Sequence, residues 1–273
     1  MDEEYEQRLQ PILSHQNSRL KALRRALAKA EPTAAGECAI EGMHILEEAL
    51  HAGLRLNTVF FSEATIERTA PRLLPQLARQ TECLRLPHEL FASAVTTETP
   101  QGVAALVRLK THELSEILEA ESPLLIATSG LQDPGNLGTI LRSAEAFGAT
   151  GALLSSHTVS PLNSKAIRAS AGSFFRLPWV RTDDETLLTT LKNNGIRLAV
   201  TSSHQGTPAD EADLRQPLCI LIGGEGAGVP RELQRAAEVH LAIPQSPQVE
   251  SLNAGIAASI LLYEAQRQRR KSL

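Results

Sequence analysis

The chain has 273 residues, 42% of them hydrophobic and 21% charged. That composition supports one large or two modest globular cores and excludes disordered, collagen-like and disulfide-dense classes. The net charge is −4 and aromatics make up 3%, so there is no basic coat or base-stacking platform, and any nucleic acid must be held by local patches. The acidic start, MDEEYE, lacks the basic-then-apolar pattern of a signal peptide. The uncharged run Asn253 to Tyr263 is too short to span a bilayer. A cytoplasmic protein with no membrane partner is expected. Cys38, Cys83 and Cys219 form no CxxC pair and no Cys/His metal spacing. They read as buried free thiols, and no metal is expected.

Residues 1–31 read as a basic N-terminal helix. Leu20, Leu23, Ala26, Leu27 and Ala30 repeat at three-to-four spacing. Arg19, Lys21, Arg24, Arg25 and Lys29 fill the other face with no acidic residue among them. Pro32 ends the pattern. Residues 32–110 alternate strands and helices: ECAI, a helix over Met43 to Leu50, LNTVFF, a helix from about Pro71 to Arg79, ECLRL, a short helix from Pro87, and GVAALVRL. This predicts a small α/β domain. Residues 111–122 form a charged linker, and residues 123–273 a second α/β domain.

In the second domain LLIAT, GALLSS, LPWV, RLAVTS, LCILIG and HLAIP read as strands. Helices are expected over Leu137 to Phe147, Lys165 to Ser170, Asp184 to Asn193, Arg231 to Ala237 and Leu252 to Arg269. The strands are continuously apolar, which predicts a parallel sheet covered on both faces. The terminal RQRRK reads as a solvated helix end, where cations suit the dipole.

Ligands of open α/β sheets bind at the carboxyl ends of the strands. Three polar, glycine-bearing segments follow strands here. In the first, Asp133-Pro134-Gly135 is a turn, Asn136 stands at an N-cap, and Arg142 lies four residues beyond Gly138. The bland alternative pairs Arg142 with Glu145. In the second, LIGGEGAGVPREL, glycines let the backbone approach a ligand. It lacks the Gly-Lys-Ser/Thr of a Walker loop, and it comes too late for the first turn of a dinucleotide fold, which weakens a reading as an oxidoreductase. In the third, Ser251-Leu252-Asn253 precedes the last helix, with Ser251 a candidate cap.

In this order, NLGTILRSAEAFGA, IGGEGAGVP and IPQSPQVESLNAGIAASILLYEA resemble the three motifs of the SpoU (TrmH-like) RNA ribose 2′-O-methyltransferases. The resemblance covers roughly Pro123 to Arg269. IEGMHILEEAL and TPQGVAAL also resemble that family's ribosomal-protein-like substrate-binding domain. The resemblance implies a SPOUT α/β domain with a parallel sheet and a deep trefoil knot, following a smaller N-terminal α/β domain. It implies S-adenosyl-L-methionine as cofactor, ribosomal or transfer RNA as substrate, and a homodimer. Gly223, Ile243 and Leu252 would contact the cofactor, and Gly224, Gly226 and Ala254 would shape its pocket. Arg142 resembles the family's essential arginine, and Asn136, Glu225, Ser251 and Asn253 match positions that orient it, the ribose and the cofactor loops. Phosphate contacts are expected from Arg19, Lys21, Arg24, Arg25, Lys165 and Arg168, with Lys29 and Arg176 near them. The main alternative is a non-catalytic RNA-binding relative, which the intact Arg142, Glu225, Ser251 and Asn253 set disfavours.

Overall fold

Alternating helix-forming and strand-forming stretches gather into two sheets, one in each of two compact units. The computed structural model describes residues 3–202, 206–226, 228–246 and 248–270. One unit holds the chain up to Lys110 together with Ser160–Phe175. The other holds Thr111–Val159 and everything from Arg176 onward. The second half of the sequence is therefore not one continuous body: a sixteen-residue excursion belongs with the first unit.

The first unit begins with α1 (Glu3–Arg8), β1 (Leu9–Pro11) and α2 (Ser18–Lys29). The expected single N-terminal helix is thus broken. Proline cannot extend a helix backbone ladder, and Pro11 closes a short strand instead. Asn17 then starts a new helix, its Oδ1 accepting from the N–H of Arg19 and Leu20. α2 ends with Ala30 in the left-handed region at φ 52°. There follow β2 (Cys38–Glu41), α3 (Met43–His51), β3 (Leu56–Ser62), α4 (Ile66–Leu73), β4 (Glu82–Leu86), α5 (His88–Ala92) and β5 (Val103–Val107). α4 starts five residues before Pro71 rather than at it. Ile66, Thr69, Ala70 and Leu73 repeat at helical spacing and are buried, and that packing outweighs the proline. The sheet order is β1-β4-β3-β5-β2, with β5 antiparallel to both neighbours. α2 lays Leu20, Leu23 and Leu27 into a core with Phe60, Leu84 and Leu106. Each such buried leucine contributes on the order of 1.5–3 kcal/mol.

The second unit opens with α6 (Leu114–Leu118), β6 (Leu124–Ser129), α7 (Pro134–Ala146) and β7 (Gly151–Ser155). The excursion carries α8 (Ser164–Ala169) and most of α9 (Ser173–Arg176). Then come β8 (Trp179–Thr182), α10 (Asp184–Asn193), β9 (Arg197–Ser202), β10 (Thr207–Pro208), β11 (Leu218–Gly223), α11 (Arg231–Ala236), β12 (Val239–Ala242) and α12 (Ala254–Arg270). The sheet order is β10-β12-β9-β11-β6-β7-β8, parallel throughout. β6 is buried at all six positions, as a strand covered on both faces must be. From β6 the chain goes one way to β7 and β8, then returns to fill the other side. That reversal creates a switch point between β6 and β11, where Ser129 lies in register with Gly223.

The thiols of Cys38, Cys83 and Cys219 are buried and unpaired. Burial pushes the Cys38 thiol up to about 12, so it is inert at neutral pH. The C-terminal basic run is not simply solvated. The Arg269 guanidinium donates to the carbonyls of Ser122, Pro123, Leu214 and Gln216, tying α12 to the amino end of β6. Lys271 lies outside the described residues. Among the described residues no helix is long and apolar enough to cross a membrane.

Candidate cofactor and catalytic site

The carboxyl ends of β9, β11 and β12 open into a cavity of about 720 Å³. Backbone and small side chains make most of its wall. Gly223 and Gly224 line it for a steric reason: a Cβ on Gly223 would stand 2.3 Å from the carbonyl carbon of Gly228, and one on Gly224 would stand 2.2 Å from the carbonyl oxygen of Gly130. Both neighbours are backbone and cannot swing away. Gly224 pairs with Gly228 in an isolated bridge, so the glycine run folds into a tight hairpin against the switch point. Ile222, Ile243 and Leu252 supply apolar wall, and Ser251, Asn253 and Ala254 close the side toward α12.

Three segments far apart in sequence meet at the rim through one hydrogen-bond chain. Asn136 Nδ2 donates to Glu225 Oε1 at 2.8 Å. Asn253 Nδ2 donates to Asn136 Oδ1 at 2.9 Å. Asn253 Oδ1 then accepts from the N–H of Gly255 and Ile256 at 3.0 and 3.2 Å, capping α12. Because a carboxylate only accepts, each amide orientation in the chain is dictated by the one before it. Glu225 also accepts from the backbone N–H of Gln132 at 3.2 Å. Burial alone would raise its carboxyl, but the bonds from Asn136 and from backbone N–H groups outweigh burial and hold its pKa below the ordinary value. Glu225 is therefore ionised at neutral pH. Its stabilising contribution is present above the ordinary glutamate range and fades as pH falls through the lowered pKa.

Two capping assignments change. Asp133 caps α7, its carboxylate accepting from Gly135 N–H at 2.8 Å. Asn136 sits a turn inside, free to reach Glu225. The cap of α12 is Asn253, not Ser251, and the helix starts at Ala254. Leu252 therefore lines the cavity instead of the helix stripe.

Arg142 lies on α7 six residues past Asn136, about 9 Å along the axis. It is exposed, is not among the cavity's lining residues, and makes no hydrogen bond or ion pair with the described residues. The expected competitor for it, Glu145, is held by Arg176 at 2.6 Å. Gly226 also lies off the cavity wall. Conversely, Thr201, Ser202, Gly206 and His240 line it and carried no motif. Their signal was position alone: Thr201 and Ser202 end the strand RLAVTS at its carboxyl end.

The proposed phosphate contacts are unequal. Arg19 is drawn to Glu82 at 2.9 Å and to Glu37 at 3.7 Å. Lys21 bonds Gln16, and Arg24 bonds Ser93 at 3.1 Å. Arg25 and Lys165 are exposed. Arg168 pairs with Glu41 at 2.6 Å. Much of the positive face of α2 is thus spent within the protein.

Residues 123–263 match the model of the SpoU rRNA Methylase family, which is more than half of the chain. The chain belongs to the SpoU methylase family. Residues 17–105 match the MRM3-like substrate binding domain, so this SpoU protein carries the family's α/β methylase domain behind a substrate-binding domain. It is 32% identical to the 23S rRNA (guanosine(2553)-2′-O)-methyltransferase RlmP of Bacillus subtilis, covering 93% of this chain and 98% of that one. It is 31% identical to the 23S rRNA (uridine(2479)-2′-O)-methyltransferase of Streptomyces viridochromogenes, covering 87% and 85%. Among solved structures it resembles the AdoMet-bound rRNA methyltransferase from Sinorhizobium meliloti, with TM-score 0.81 and 28% identity over 95% of this chain and 98% of that chain.

Proposed function

We infer that this SpoU protein transfers a methyl group from S-adenosylmethionine to a ribose 2′-hydroxyl of ribosomal RNA. The observation that carries the reading is the chain Glu225–Asn136–Asn253 on the rim of a cavity cradled by Gly223 and Gly224. Apolar walls from Ile222, Ile243 and Leu252 beside the Glu225 carboxylate suit a ligand that is part apolar and carries a positive charge, and the glycine hairpin lets it lie close to the main chain. Gly223, Ile243 and Leu252 would hold the cofactor, with Gly224 and Ala254 shaping its bed. When bound, it supplies an electrophilic methyl group on a sulfonium.

The remaining work falls to the protein's own residues. A ribose hydroxyl is a weak nucleophile, so orientation and charge stabilisation dominate. Asn136 and Asn253, locked by Glu225, fix the polar rim on which the ribose is positioned. Arg142 supplies the cation that stabilises the developing alkoxide. The oxygen–methyl bond forms as the sulfur–methyl bond breaks, and the hydroxyl proton leaves to solvent water at this exposed residue. A guanidinium hardly deprotonates, so electrostatic stabilisation suits it better than proton abstraction.

We propose that two copies pair through the face shared by α7 and α12. Thr139 stands 3.1 Å from the Cβ position of Gly255. Ser143 Oγ meets Ser259 Oγ at 2.7 Å, and the Phe147 and Tyr263 rings meet edge-on at 5.7 Å. The matched steps of four mean that the two helices run parallel. On such a pair, the residue before Ser143 and the residues after Gly255 and Ser259 point to the same side. Arg142 therefore shares a face with Ile256 and Ile260, which are 52% and 39% exposed. A second copy covering this apolar stripe would bring new groups to Arg142 and desolvate it. Ile260→Glu should shift the protein to a monomer in sedimentation velocity and lower methylation with it. A wild-type chain that sediments as a fully active monomer would remove this proposal. A knotted C-terminal segment is proposed from membership of the SpoU family. A cytoplasmic location fits a ribosomal RNA substrate.

Mapping 2′-O-methyl groups in ribosomal and transfer RNA, with and without this protein, tests the activity. One site lost in ribosomal RNA when the protein is absent, and restored by purified protein with S-adenosylmethionine, is the expected result. A site lost only in transfer RNA would move the substrate. Unchanged maps, with no methyl transfer in vitro, would favour the non-catalytic alternative.

A further inference from the structure

We propose that the first unit holds a pocket for one unstacked nucleobase of the RNA substrate, uracil or guanine, read at its O4 or O6 carbonyl. The proposal rests on the reading of the chain as an RNA methyltransferase and deepens it with a specificity site. The pocket is a cavity of about 250 Å³ at the start of α3 and along the connection from α5 to β5. That volume falls just under the range typical of pockets for drug-sized ligands, which suits a single heterocycle. Ile45, Phe91 and Val103 supply apolar walls, and His44, Gln101 and Arg168 supply polar ones. A phosphate alone would gain nothing from the apolar walls. A base has both a flat apolar face and a polar edge.

Two of these polar groups, Gln101 and Arg168, are fixed by bonds within the protein, and their uncommitted atoms are donors. Gln101 Oε1 accepts from Met43 N–H at 2.8 Å, capping α3. That bond settles the amide orientation, leaving Nε2 as a donor with no acceptor among the described residues. Arg168 is held by Nη1, which donates to Glu41 Oε1 at 2.6 Å and to Thr97 Oγ1 at 3.3 Å. Glu41 is 5% exposed on its side chain and also accepts from Thr96 N–H at 3.1 Å and from the Thr97 hydroxyl. The Thr96 hydroxyl also donates to Glu41 Oε1 at 3.2 Å, so the carboxylate is held within the protein and serves as an anchor. The Nε and Nη2 atoms of Arg168 make no hydrogen bond to the described residues, and the side chain is 41% exposed.

Arg168 is thus less a loose phosphate contact than a guanidinium aimed by a buried carboxylate. Donors facing a base edge select carbonyl oxygens. At the 4-position of a pyrimidine or the 6-position of a purine, uracil and guanine present a carbonyl, whereas cytosine and adenine put an exocyclic amine there. The excursion Ser160–Phe175 gains a role on this reading: it delivers Arg168 to the unit that holds the pocket.

The test uses the full chain and labelled hexanucleotides of uridine, cytidine and adenosine, measured by fluorescence anisotropy. Hexauridylate should bind about tenfold tighter than the other two, the discrimination expected of well-placed base-edge contacts. Gln101→Glu keeps the Oε1 cap on Met43 but replaces the donor with an acceptor. It should erase the uridine preference and raise KM for ribosomal RNA about tenfold, with kcat at saturating RNA little changed. In the unsubstituted protein, a hexamer carrying 4-thiouridine should photocrosslink to the peptide containing Phe91 or Gln101. This second measurement stands even where the variant folds poorly. Equal binding of the three hexamers, crosslinks that map elsewhere, or an unchanged KM in a folded Gln101→Glu protein would overturn the pocket. Protein that prefers uridine yet methylates no RNA would overturn the proposed activity and leave the pocket standing.

Discussion

Arg142→Ala should depress the single-turnover methylation rate by roughly 10² to 10³, the usual cost of deleting a donor that stabilises charge in the transition state. The affinity for S-adenosylmethionine should stay near wild type, because Arg142 does not line the cavity at the ends of β9, β11 and β12. Arg142→Lys should recover part of the rate: the charge remains, but the planar fork does not. The site makes this residue an unusual arginine. It has no partner among the described residues, while the neighbouring carboxylate of Glu145 is occupied by Arg176. An exposed ion pair would have been worth less than about 1 kcal/mol and would have left the rate alone. Rapid-quench kinetics on the three proteins at saturating cofactor separates the readings. A rate for Arg142→Ala within about threefold of wild type would leave electrostatic stabilisation without support.

The sheet of the second unit was legible because buried parallel strands announce themselves. LLIAT and LCILIG have no polar interruption to read as anything else, and both are strands. The break in the N-terminal helix was not legible. Leu9 and Ile12 look like more of the same apolar stripe, and only pairing of β1 with β4 shows that they belong to a sheet edge. Nor does Pro71 reveal that Ile66, Thr69 and Ala70 precede it on the same helix, since the sequence carries the proline signal more loudly than the packing. The excursion Ser160–Phe175 is illegible for another reason. Nothing local distinguishes residues that pack within their own half from residues that pack with β2, and the pairing of Arg168 with Glu41 spans 127 positions.

The site divides the same way. The glycines, Glu225 and the two asparagines were visible as motif residues, but the sequence could not say which side chain caps which helix. Asn136 looked like a cap because it follows Asp-Pro-Gly. In the structure Asp133 takes that work, and this frees Asn136: a capping Asn136 would spend its side chain on backbone N–H groups. Set one turn further in, it joins Glu225 to Asn253. The cap on α12 is thereby tied to a carboxylate on the glycine hairpin, so the entry to the last helix and that hairpin are positioned together. Arg142 sits outside that tie, on the exposed side of α7. On the proposed function its environment is completed by the ribose and by a second copy.

Gly223→Ala should weaken S-adenosylmethionine binding, lower the melting temperature, or do both. Gly223 does not have a positive φ, so alanine is conformationally acceptable there and the objection is purely spatial. The added methyl would stand 2.3 Å from the carbonyl carbon of Gly228 and 2.4 Å from the nitrogen of Val229. Val229 is 4% exposed and belongs to a core with Leu221 and Leu233, so that backbone has little room to retreat. The hairpin closed by Gly228 N–H to Gly224 O at 3.0 Å must open, and it forms one wall of the cavity. Overpacking of this kind costs about 1–3 kcal/mol. Drawn wholly from cofactor binding, that cost is a rise of roughly 5- to 150-fold in Kd. Drawn from folding, it lowers Tm by several degrees. Calorimetric titration and a thermal melt on the same sample apportion the two. A Gly223→Ala protein that binds the cofactor with wild-type affinity and melts at the wild-type temperature would show that the glycine hairpin yields freely. It would also remove the cradle from the account of this site.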